Sequence, residues 1–212
     1  MARILITSGP TRQYLDPVRY LTNASSGRMG RALAAAAIGA GHEVVLVSGP
    51  VSLQPPVGVR LRSVETTADM EAAVADELRQ ADVLIMAAAP ADFRPSRPSD
   101  AKRPRTDGAL AIPMEPTADI LRATVAARKP GSVIVGFALE TGDAIQKARG
   151  KLERKALDLI VVNDALEPGA GFDVDTNRVA ILDRDGNARV VPLSSKREVA
   201  DAILDAVEER LG

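Results

Sequence analysis

The sequence has no cysteine, no tryptophan and a single histidine in 212 residues. Without a thiol there can be no disulfide, no thiolate nucleophile and no Cys-based zinc site. The lone His42 stands in a Gly-His turn before an apolar run, where it reads as structural. One imidazole without thiols also argues against a Ser-His-Asp triad or a histidine metal centre. Aromatics are scarce, with two Tyr and three Phe, too few for a stacking platform on single-stranded nucleic acid. An excess of charge is missing too. Against 27 Lys plus Arg stand 28 Asp plus Glu, a net −1, which exerts no general pull on nucleic acid or an anionic membrane. No apolar run is long enough to span a bilayer, and "MARILITSGP" enters a strand without a signal-peptide core. A cytoplasmic protein is the expectation.

What is present is a rhythm. Short β-branched runs alternate with alanine-rich helical stretches. Strands are expected at 3–8, 43–49, 59–65, 82–89, 132–138 and 157–163. Helices are expected at 27–41, from Thr66 and Asp69 onward, at 117–129 with Thr117 as N-cap, and at 143–156. Residues 177–193 read as a hairpin around Asp185-Gly186, and Ser195 with Glu198 forms a capping box for the last helix. The alternation implies an α/β fold. It is a three-layer α/β/α, Rossmann-like arrangement on a mostly parallel sheet with a C-terminal antiparallel hairpin. The length fits one domain over 1–212. The rhythm breaks at 90–108, a Pro-rich charged stretch that fits no strand or helix; 109–115 then alternates like a half-exposed strand.

In open α/β sheets, ligands sit beyond the carboxyl ends of the strands. Here those ends read "TSGPTR", "SGP", "AAAPADF", "GFALET" and "VNDA". Phe93, Phe137 and Phe172 lie in or after such ends, either as a ligand wall or as edge packing. Asn23, Ser25, Ser26 and Gly27 precede the first helix. Small residues at a positive helix end suit an anion, and they equally suit an ordinary cap. The stretch is no dinucleotide turn, because Gly9 follows the strand while the helix starts near Gly27. "PTRQYLDPVRYL" intervenes as an extra loop with Arg12, Asp16 and Arg19. The 90–108 loop sets Asp92 beside Arg94, Arg97, Lys102, Arg103 and Arg105. Such a set suits a triphosphate with a divalent ion, or else a solvated charged loop. Lys151 and Lys155 share a helix face by their spacing and by themselves read as solvated.

Five stretches then occur in order: "ITSGPTRQYLDPVRYLTNASSGRMG", "AAAPADFRP", "GFALET", "KLERKALDLIVVND" and "GFDVDTNRVAIL". Together they make the chain resemble the phosphopantothenoylcysteine synthetase family over nearly its whole length. The resemblance implies a homodimeric ligase of coenzyme A biosynthesis. It would join 4′-phosphopantothenate to L-cysteine through an acyl-cytidylate, using CTP and Mg²⁺, and in many bacteria it is fused to a flavin-dependent decarboxylase. Carried over by position, the implied catalytic residues are Asn23, Lys102 and Arg19. Asn23 would hold the activated acyl group by donating to its oxygen. Lys102 would neutralise the two anions that meet in the first step, and Arg19 would lie near the intermediate or across the dimer interface. The resemblance implies Asp92 and Phe137 at the nucleotide, with Asp92 also toward the metal, and Ser25, Ser26, Gly27, Ala89, Lys151 and Lys155 complete the expected nucleotide-binding set. Residues 90–108 would be an active-site flap that closes over the triphosphate.

The family's usual Lys before Met-Gly is Arg28 here, and Pro104 stiffens the run after Lys102. Two other classes of function compete. A nicotinamide-dependent oxidoreductase would need better-placed glycines and an acidic residue after "VVLVSG", which ends in Ser48-Gly49. A non-catalytic binding domain would have no need to keep Asn23, Asp92 and Lys102 together.

Overall fold

The computed structural model describes residues 1–105, 108–140, 142–164 and 174–212, the side chain of Asp164 excepted. The chain opens with β1 (Arg3–Ser8), β2 (Arg12–Asp16) and β3 (Arg19–Thr22), followed by α1 (Arg28–Gly39). Next come β4 (Glu43–Ser48), β5 (Arg60–Ser63), α2 (Thr67–Glu77), β6 (Val83–Met86), β7 (Phe93–Pro95) and β8 (Met114–Pro116). The last third holds α3 (Ile120–Ala123), β9 (Val133–Glu140), α4 (Ala144–Arg154), β10 (Leu159–Asp164), β11 (Thr176–Asp183), β12 (Ala188–Ser195) and α5 (Lys196–Leu211).

Eight strands form one sheet in the order β12-β11-β10-β9-β6-β1-β4-β5. The six strands from β10 to β5 pair in parallel; β11 and β12 add antiparallel at one side. Side chains alternate across a strand, and both sheet faces are covered, so the runs are apolar throughout. Ile4 and Ile6 of β1, Val44 and Leu46 of β4, and Val83 and Ile85 of β6 point to the layer of α1 and α5. Leu5, Val45, Val47, Leu84 and Met86 point to the layer of α2, α3 and α4. Each buried aliphatic side chain contributes about 1.5–3 kcal/mol. Two such layers make the sheet a rigid base for whatever its strand ends carry. Capping boxes at Thr66/Asp69 and Ser195/Glu198 set the starts of α2 and α5.

Three expectations need correction. The stretch 90–108 is not without strands, because Phe93–Pro95 pairs antiparallel with Met114–Pro116, while 109–113 forms no strand. The "extra loop" is a hairpin, β2 against β3, with a bulge near its turn. Helix 117–129 shrinks to α3 plus a 3₁₀ turn at Val125–Ala127. Its N-cap is Asp119, which accepts from the Arg122 amide, because the Thr117 hydroxyl is donated to the Ala91 carbonyl at 2.6 Å. Among the described residues, no helix is long and apolar enough to cross a membrane.

Candidate active site

From β1 the chain goes to β4 and β5 on one side, then crosses to β6 on the other. The strand order thus reverses at the β1/β6 boundary, where open α/β sheets bind ligands. A cavity of about 490 Å³ lies there. Its walls come from the start of α1, the segment after β6, the start of α3, the end of β9 and one face of α4.

Nine of the eleven site residues expected from the sequence line this cavity: Asn23, Ser25, Ser26, Gly27, Ala89, Asp92, Phe137, Lys151 and Lys155. Gly27 is the N-cap of α1 with φ 75°, a left-handed conformation that glycine adopts without steric cost. The N-cap glycine has no side chain with which to cap the helix, and no acidic residue occupies the first turn. Met29 and Gly30 of that turn also face the cavity, so the positive helix end meets it uncountered from within the helix. Gly30 lets α1 sit directly on β1, since a Cβ there would come within 2.5 Å of the Ser8 side chain.

Asn23 is held firmly. Its amide nitrogen donates to the carbonyls of Ala89 and Pro90, each at 3.0 Å. Both amide hydrogens are thereby committed, and the group left for a ligand is the acceptor Oδ1. The segment after β6 is fixed from below as well, with the Ala89 amide donating to Gly9 and the Ala91 amide to the Thr11 hydroxyl. On the far wall, Lys155 pairs with Asp119 at 3.0 Å, and Lys151 pairs with Glu140. Phe137 is half-buried at the end of β9 and offers a flat apolar wall.

Lys102 and Arg19 are not among the lining residues. Lys102 is exposed on the loop after β7. Arg19 pairs with Asp16 and donates to the Arg103 carbonyl at 2.9 Å. Of the phenylalanines, Phe93 is 56% exposed on β7 and lines no wall, and Phe172 lies outside the described residues.

Sequence reasoning missed Asp119, Asn177 and Lys196, which also line the cavity. Asp119 was open to discovery as a helix cap. Asn177 and Lys196 arrive through the C-terminal hairpin, 154 and 173 residues after Asn23 by numbering, so no local spacing marks them. Lys196 donates to the Val174 carbonyl, and Arg28 pairs with Asp175, which stitches the start of α1 to the segment entering β11. Among the described residues, no group of three or more His, Cys, Asp or Glu side chains could hold a metal by itself.

A relative named cysteine/cysteine sulfinic acid decarboxylase, from an unknown prokaryotic organism, is 45% identical over 203 residues, 95% of this chain and 56% of its own length. The coenzyme A biosynthesis bifunctional protein CoaBC of Bacillus subtilis is 45% identical over 205 residues, 96% of this chain and 50% of its own. The chain thus spans about half the length of these curated relatives. The crystal structure of the C-terminal domain of a CoaBC protein superposes with a TM-score of 0.84 at 40% identity, covering 99% of this chain and 95% of that one. The family model described as the DNA/pantothenate metabolism flavoprotein C-terminal domain matches residues 1–211, and the chain belongs to that family.

Proposed function

We propose that the chain is a ligase joining 4′-phosphopantothenate to L-cysteine through an acyl-cytidylate, with CTP and Mg²⁺, in coenzyme A biosynthesis. The observation that carries this reading is the convergence of nine family-motif residues, spread from Asn23 to Lys155, on one cavity at the switch point. The kinship with CoaBC proteins supports the same reaction. The decarboxylase activity named for the other relative belongs to a protein of which this chain covers 56%.

In this reading the glycine-capped start of α1 with Ser25 and Ser26 receives phosphoryl oxygens, and Phe137 packs against the base. Lys151 and Lys155 exchange their carboxylate partners for the triphosphate. Nucleotide-bound Mg²⁺ takes one or two carboxylates plus phosphate oxygens, and Asp92 at the cavity wall fits that donor set. Mg²⁺ would screen charge on the phosphates. Lys102 neutralises the carboxylate and triphosphate as they meet, a repulsion of several kcal/mol in a partly dry site. Asn23 acts in the second step. Its Oδ1 accepts from the incoming amino group. Donation to the acyl oxygen would first require release of the Ala89 or Pro90 carbonyl. A homodimer and a cytoplasmic setting complete the proposal, with fusion or association to the flavin-dependent decarboxylase where the longer relatives carry more chain.

The test is one assay read by mass: CTP or ATP with phosphopantothenate, with and without cysteine. Pyrophosphate should appear from CTP only with phosphopantothenate, and Asn23→Asp should accumulate acyl-cytidylate without coupling cysteine. Absence of any acyl-nucleotide in the parent chain would sink the reading.

A further inference from the structure

Asp16 sits at the turn of the β2–β3 hairpin with a side chain of 0% exposure. Its Oδ1 accepts the amides of Val18 and Arg19 at 3.1 and 3.0 Å. Its Oδ2 accepts Arg19 Nε at 2.9 Å and the Arg103 amide at 3.2 Å. Arg19 Nη2 closes the ring by donating to the Arg103 carbonyl at 2.9 Å. One ion pair therefore grips both backbone polar groups of Arg103. Four residues earlier the Ser99 amide donates to the Leu15 carbonyl at 3.0 Å, again on the hairpin. Arg103 folds the loop on itself by donating to the Arg97 carbonyl at 2.8 Å. Lys102 lies between these two tethers.

We propose that Asp16 and Arg19 are positioning residues, which hold the Lys102 loop on the β2–β3 hairpin as on a fixed base. The link from this clamp to turnover rests on the role given to Lys102 above. Within one protomer Arg19 then acts through the Lys102 loop, in keeping with its place outside that protomer's cavity wall.

The test uses the full chain and two readouts. In hydrogen exchange without ligand, Asp16→Asn should speed exchange of 99–103 at least tenfold and leave β1 and β6 unchanged. In the pyrophosphate assay, Asp16→Asn should lower kcat at least tenfold in the parent and less than twofold in a Lys102→Gln background. A role confined to stability would lower both backgrounds alike. Arg19→Lys keeps the charge but gives up the second donor, so it should fall between parent and Asp16→Asn; it serves as the variant if Asp16→Asn does not fold. Unchanged exchange of 99–103, or equal losses in the two backgrounds, overturns the clamp. A parent chain that releases no pyrophosphate overturns the ligase reading instead, and the exchange result still decides the clamp.

Discussion

Asp16 is a carboxylate that stays charged in a place closed to water. The Arg19 guanidinium, above all, holds its pKa far below the usual range; the Val18 and Arg103 amides help, against the opposing effect of burial. A depressed carboxylate adds stability above its unfolded-state pKa of about 3.9, and that contribution is lost as pH falls toward the folded value. Asp16→Asn should therefore lower the thermal midpoint by a similar amount at about pH 7 and pH 5, and the gap should narrow only below about pH 4. Thermal unfolding of the two proteins at these pH values checks this. A gap that already closes between pH 7 and 5 would mean that the Asp16 charge is not what holds the turn. No spacing in the sequence reveals this residue's work, because its partner Arg103 lies 87 positions away. Asn23 and Phe137 were legible for the opposite reason. Each sits in a short motif at a strand or helix end, where chain direction alone places it near a ligand.

At the level of elements, α1 connects packing to the cavity. The helix is legible from its apolar face and its glycine stop, and the structure trims it only to Arg28–Gly39. What the pattern hides is how close it lies to β1. A Cβ on Gly30 would come within 2.5 Å of the Ser8 Cβ and Oγ, and 3.0 Å of its Cα. The last of these is backbone, so the helix or the strand must shift. Gly30→Ala gains about 1 kcal/mol of helix propensity and loses about 1–3 kcal/mol to overpacking. The expected net effect is a loss of stability together with weaker nucleotide binding, since the displaced helix end carries the anion site. Ser8→Gly in the same chain removes the two 2.5 Å contacts but keeps the Cα approach and gives up the Ser8 hydroxyl bond to the Gly27 carbonyl, so it should recover only part of both, as measured by thermal unfolding and CTP titration. A Gly30→Ala chain as stable and as tight as the parent would refute the close packing. The β2–β3 hairpin escaped the sequence for a physical reason. All four residues of β3 are exposed, so no apolar alternation marks it, and Pro17 in the turn reads as a loop. Helix α3 was overextended because Ala and Leu propensity favours a longer helix, whereas Thr117 is spent on the Ala91 carbonyl.

Across the whole molecule, apolar surface is unevenly spent. The sheet faces are covered by helices, yet the two small hairpins carry exposed Val18, Tyr20, Leu21, Phe93 and Met114. The two small ribbons touch through β2 and β7. The hairpin is also stiff, with Tyr14 and Tyr20 edge to face at 5.4 Å and Arg12 over the Tyr20 ring at 4.4 Å. Exposed apolar side chains are candidates for association, and the prediction is that the proposed homodimer uses those of the β2–β3 hairpin. Val18 and Leu21 are 58% and 43% exposed, so charging them leaves both core layers intact. Val18→Glu with Leu21→Glu should therefore leave the thermal midpoint within a few degrees of the parent dissociated by dilution. It should weaken self-association at least about 100-fold, the loss of about 2.7 kcal/mol. Sedimentation velocity separates a 22.3 kDa chain from its dimer. A parent that sediments as a monomer at about 50 µM, where a dimer with a Kd of about 1 µM would be mostly associated, would remove the dimer from the proposal. A double variant that stays dimeric would move the contact to another face. Because Asp16 and Arg19 anchor the Lys102 loop on this same hairpin, losing the contact should also loosen 99–103. Hydrogen exchange on the double variant joins the molecular scale to the residue scale in one measurement.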